Sequence, residues 1–78
     1  LVIPKGPYVC FDHFSQAASD AEIVDFARTA GKVCAELGLE EMGFRAIANA
    51  GEHGVQEVPH FHLHILAGRP LGRMLAKA

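Results

Sequence analysis

Apolar and polar positions along this chain follow two different periods, and the change between them divides it into elements. Ile23, Phe26, Ala27, Ala30, Val33, Cys34 and Leu37 recur at steps of three and four, which gathers them on one face of a helix. Ser19 precedes the run, with Glu22 three residues on. That is a capping box, in which two otherwise free backbone N–H groups are satisfied reciprocally. Asp20 sits at the positive end of the helix dipole, and Gly38 supplies a left-handed stop. The pattern predicts one long helix between Ser19 and Gly38. Gly31 lies inside it, where close approach by another backbone and an accident of sequence are both open explanations.

Between Pro59 and Leu66 the period drops to two. His60, His62 and His64 alternate with Phe61, Leu63 and Ile65. On an extended strand the histidines line one face and the apolar residues the other. On a helix the same histidines would spread around the axis, so the spacing predicts a strand whose Phe61 face meets the core. Phe44 to Asn49 also alternates, with Phe44, Ala46 and Ala48 opposite Arg45, Ile47 and Asn49. Apolar residues on both sides predict an interior strand.

Leu1-Val2-Ile3, closed by Pro4, reads as the end of a strand, and Lys5-Gly6-Pro7 as a turn. Tyr8 to Phe14 has no clean period and is expected to be a connection over the core. Ala50 to Val58 reads as a loop, with Val58 pushed to extended geometry by the proline after it. Gly68 to Arg73 reads as an irregular surface arm. Strand, long helix, strand, loop and strand, joined tightly, predict an α+β fold: an antiparallel sheet with the helix packed on it.

Composition sets the bounds. Seventy-eight residues suit one domain, 1–78. With 50% apolar and 21% charged residues the chain is globular. So short a chain buries a small core, which predicts a partner, most simply a second copy. A formal charge of −2 and a pI near 6.2 give no electrostatic case for nucleic acid or an anionic membrane. No apolar run approaches a membrane span, and Leu1 to Lys5 is too short for a signal peptide. Cys10 and Cys34 have neither metal-ligand nor redox spacing and read as free thiols of a reducing cytoplasm. The chain opens on Leu1 inside a strand pattern, so it is expected to be the C-terminal portion of its domain.

Three imidazoles two residues apart on a strand stand roughly 6.5 to 7 Å from one to the next. That spacing suits an anionic group of about phosphate size. A neutral imidazole nitrogen is a nucleophile near neutral pH, and neighbouring rings can donate hydrogen bonds or protons. Metal binding is the competing reading, since His-x-His on a strand is a common zinc spacing. Glu57 is the one nearby carboxylate at a useful spacing, and no four-ligand shell is visible. Chance is the third explanation.

The pattern resembles the histidine triad (HIT) family, whose signature is His-x-His-x-His-x-x with x apolar. His60, Phe61, His62, Leu63, His64, Ile65 and Leu66 match it at every position. Asn49-Ala50-Gly51 is similar to the family's Asn-x-Gly, and Gln56 stands four residues before the first histidine as in the Hint-like branch. Val2-Ile3-Pro4-Lys5 and Gly68-Arg69 resemble that branch as well. The resemblance covers essentially the whole chain.

It implies a HIT fold and a homodimer, with the long helix and the Phe44–Asn49 strand in the interface. It implies His62 as the nucleophile that forms a nucleotidyl-histidine intermediate. His64 would contact the phosphate and assist the leaving group, and His60 would orient the pair. Gln56, Glu57 and Val58 would border the phosphate, partly through backbone N–H groups, and Asn49 would reach the site. The implied substrates are purine nucleoside phosphoramidates or related nucleotide conjugates, with dinucleoside polyphosphates as the alternative. A metal- or partner-binding module without turnover is the rival class. No cofactor is required, and zinc at the histidines would be adventitious.

The chain departs from the pattern at two places. Pro7 stands near where Hint-like members often carry another histidine, and His13, farther along, is the alternative for that role. Glu57 stands where a serine is common, and is read either as a solvated loop carboxylate or as a selector of a positively charged leaving group. His53, Arg69 and Arg73 read as solvated side chains.

Overall fold

The computed structural model describes residues 1–74. The elements in order are α1 (Phe11–Ala17), α2 (Asp20–Glu36), β1 (Arg45–Ile47) and β2 (His64–Leu66).

Helix α2 begins as its sequence dictates. The Glu22 N–H donates to Ser19 Oγ at 3.1 Å, and the Ser19 N–H donates to Glu22 Oε1 at 3.2 Å. The expected capping box is therefore complete. Leu37 is the C-cap, and Gly38 follows with φ +70°, a conformation that favours a residue without Cβ. The Leu39 N–H reaches back to the Cys34 carbonyl at 3.0 Å and closes the helix end.

The segment between Tyr8 and Phe14, expected to be an irregular connection, instead enters helix α1. Its N-cap Cys10 makes no side-chain capping bond to the helix. Burial explains the helix: Phe14 is buried, and its ring lies 5.2 Å from Phe61 and 5.1 Å from Phe26, centre to centre. One turn of helix separates Phe11 from Phe14, and both rings meet Phe61 in one aromatic cluster with Tyr8 and Phe26. Phe26 brings α2 onto the same cluster.

The sheet is antiparallel and short. Arg45 pairs with Leu66, Ala46 with Ile65, and Ile47 with His64. On the other side of the histidine segment, Val2 and Leu63 exchange both backbone hydrogen bonds at 2.9 Å. The histidine segment thus runs between Val2 and β1. Two expectations change. The strand expected over Phe44–Asn49 is regular only over Arg45–Ile47, and β1 has a single strand partner among the described residues, so it is not interior there. The strand expected from Pro59 is regular only from His64, because the chain bends through Val58–His60.

The buried core is Val2, Phe14, Cys34 and Phe61. Cys10 and Cys34 are free thiols. Among the described residues no helix is long and apolar enough to cross a membrane. The arm after Leu66 is irregular and is tied back where the Arg45 guanidinium donates to the Gly72 carbonyl.

Candidate active site

Alternation places the histidine rings and the core on opposite sides of one segment. Phe61 is 2% exposed, whereas His60, His62 and His64 are half-buried. The rings of His62 and His64 meet edge to face, with centres 4.8 Å apart. They stand closer than the strand repeat because they lean together over the same opening.

His60 is not part of this pair. Its Nε2 lies 3.3 Å from the Pro4 carbonyl, which can only accept, so that nitrogen is the protonated one in this contact. His60 therefore pins the Val2–Lys5 stretch to the histidine segment. His62 turns its Nδ1 to the His60 carbonyl at 2.8 Å. By the same reasoning Nδ1 carries the proton, and Nε2 of the neutral ring keeps a free lone pair.

A cavity of about 410 Å³ opens beside the ring pair, lined by Leu1, Asn49, Val55, Gln56, Glu57, Val58, His62 and His64. It gathers His62, His64, Asn49, Gln56, Glu57 and Val58 from the residues marked in the sequence, and leaves His60 outside. Leu1 and Val55 were not marked. Neither has a side chain that signals chemistry, and both arrive through the folding of their segments.

The loop wall is built by hydrogen bonds within the chain. Asn49 Nδ2 donates to the Gly54 carbonyl at 2.6 Å, and the Gln56 N–H donates to the Gly51 carbonyl at 3.1 Å. A Cβ on Gly54 would lie 2.3 Å from the Ala50 carbonyl oxygen, so this turn closes only around glycine. Glu57 is the one charged residue on the cavity wall among the described residues.

A hydrogen bond from the Tyr8 hydroxyl at 2.8 Å, reinforced by Ser19, holds the Glu22 carboxyl below the ordinary glutamate range. The same bond raises the Tyr8 phenol. Asp12 is lowered chiefly by a hydrogen bond from the Cys10 thiol. Among the described residues no three His, Cys, Asp or Glu side chains are grouped to hold a metal ion; His62 and His64 offer two nitrogen donors.

The family model for the HIT domain matches residues 1–71. The chain belongs to the histidine triad family. It is 51% identical over 77 residues to an uncharacterized HIT-like protein of Azospirillum brasilense, covering 99% of this chain and 63% of that one. It is 53% identical over 47 residues to the purine nucleoside phosphoramidase of Escherichia coli K12, covering 60% of this chain and 40% of the relative. A histidine triad protein from Clostridium difficile superposes with a TM-score of 0.75 at 34% identity, over 94% of this chain and 63% of that chain. A HIT family hydrolase from Clostridium thermocellum gives 0.73 at 31% identity, over 94% and 64%. The HIT fold expected from the sequence is thus the fold observed. This chain spans less than two thirds of the length of each of these proteins.

Proposed function

We propose that this HIT chain carries the catalytic segment of a nucleotide hydrolase of the phosphoramidase kind. Its substrates are purine nucleoside phosphoramidates or related conjugates, and it acts through a nucleotidyl-histidine at His62. The observation that carries the reading is the His62 ring, whose Nδ1 is held at the His60 carbonyl, so that Nε2 is left with a lone pair beside the cavity. The hydrolase neighbour and the phosphoramidase relative support the same reading.

The steps follow from the residues. His62 Nε2 attacks phosphorus, the bond to the leaving nitrogen breaks, and His64 supplies a proton to the departing amine. Water then attacks the nucleotidyl-histidine while His64 takes up its proton, the P–N bond to His62 breaks, the nucleoside monophosphate leaves, and both imidazoles return to their starting states. Asn49 and the Gln56–Val58 wall border the phosphate. No cofactor enters these steps. Glu57 favours a neutral or cationic leaving amine over a polyphosphate, because a carboxylate repels the latter.

The same reading includes a homodimer. Leu37, the cap of α2, and Phe44, the residue before β1, border the helix and strand expected in the interface and are exposed in the single chain, which supports a covering partner.

The deciding experiment is His62→Ala in the full-length protein, assayed on adenosine 5′-phosphoramidate. Turnover is expected to fall on the order of a thousandfold or more, with the far-UV circular dichroism unchanged. Undiminished turnover overturns the assignment.

A further inference from the structure

The Gln56 carboxamide makes three hydrogen bonds within the protein. Its Nε2 donates to the Val9 carbonyl at 2.5 Å and to the Val58 carbonyl at 3.0 Å, and its Oε1 accepts from the Gly51 N–H at 3.4 Å. An amide nitrogen has two hydrogens, and both are used. The orientation of the group is set by its partners, because the nitrogen faces two acceptors and the oxygen faces a donor.

Val9 lies 47 positions away, in the stretch that leads into α1. The preceding carbonyl, that of Tyr8, accepts from the Phe61 N–H at 2.7 Å. The Tyr8–Val9 strap is therefore bonded to the histidine segment through one carbonyl and to the cavity wall through the next. Nothing else bonds the wall to that strap among the described residues.

The wall also holds a strained residue. Val55 has φ +56°, a left-handed conformation that is an outlier for a β-branched side chain and persists only where its surroundings enforce it. Its N–H is held by the Glu52 carbonyl at 3.1 Å, and the next residue is Gln56.

We propose that Gln56 is a positioning residue whose amide clamps the Val55–Val58 wall to the Tyr8–Val9 strap and so fixes the wall against His62 and His64. The proposal rests on the reading of His62 as nucleophile for its effect on turnover, but not for the clamp itself. Misplacing a wall that borders the reacting phosphate costs rate through lost alignment.

The test compares Gln56→Met, of similar shape and without the hydrogen bonds, with the parent full-length protein. Backbone amide exchange at Gln56 to Val58 is expected to quicken at least tenfold while exchange in α2 is unchanged. On adenosine 5′-phosphoramidate, kcat is expected to fall tenfold or more, with KM within about twofold. Adding Val55→Asn, which accepts the left-handed backbone more readily, is expected to restore a large part of the lost kcat, an effect that a direct substrate contact at Gln56 does not give.

Unchanged loop exchange overturns the clamp whatever the activity, and so does an equal rise in α2. A tenfold loss of adenosine monophosphate affinity with unchanged loop exchange also overturns it, by making Gln56 a direct contact. If the parent protein does not hydrolyse the phosphoramidate, the proposed function fails, and the exchange comparison still decides the clamp.

Discussion

Phe61 lies stacked on Phe14, ring centres 5.2 Å apart and planes at 30°. Phe26 and Phe11 close around the same ring at 5.1 and 6.0 Å. The residue between the first two histidines of the triad is therefore the most buried large side chain of the described fold, and the histidine segment is anchored beside the proposed site.

Phe61→Ala should accordingly cost about 3–5 kcal/mol, the usual range for a fully buried aromatic ring. The accompanying drop in Tm is on the order of 10 °C or more. Urea or thermal unfolding followed by circular dichroism checks it; a loss below about 1 kcal/mol would show that the cluster is not the anchor.

Glu22 links the helix cap to the N-terminal strap through the Tyr8 hydroxyl. Its carboxyl is lowered from 4.5, so the native state binds this proton less readily than the unfolded chain. The stability it contributes is present above about pH 4.5 and is lost as the pH falls through the depressed native value. Glu22→Gln keeps a capping partner at this position but removes the charge. Its Tm should change less between pH 6 and pH 3 than that of the parent, with the residual acid dependence coming in part from Asp12, which is also lowered. Identical acid profiles in the two proteins would refute the linkage.

Glu57 is exposed on the cavity wall, where the energy of a single charge is screened to about 0.2–1 kcal/mol. Glu57→Gln should shift the ratio of kcat/KM for a cationic-amine phosphoramidate over that for a dinucleoside polyphosphate by up to about fivefold, against the amine. Competition kinetics with both substrates read the ratio directly. A ratio that stays put, or moves the other way, assigns Glu57 to solvent alone.

Helix α2 was legible because each signal is local: the capping box, the apolar stripe and Gly38 all fall within twenty residues. The α+β class and the burial of Phe61 followed from periods alone. Helix α1 was not legible, since two turns show little periodicity and Cys10 gives no capping side chain; its stability comes from Phe14 meeting residues distant in sequence. The divergence of His60 from its neighbours was hidden for a similar reason. Alternation gives side-chain faces, but the Val58–His60 bend and the Pro4 carbonyl decide where the first ring goes. Gln56 was marked for its position before the triad, while its Val9 partner could be seen only in three dimensions.

The paired bonds between Val2 and Leu63 reach beyond the edge they complete. Were the histidine segment to slip by one residue, every side chain on it would change sides. Phe61 would face water and His62 the interior, so a misaligned chain forfeits its stability along with the proposed nucleophile. At this segment the register that folds the molecule is the same one that presents the His62 ring to the cavity.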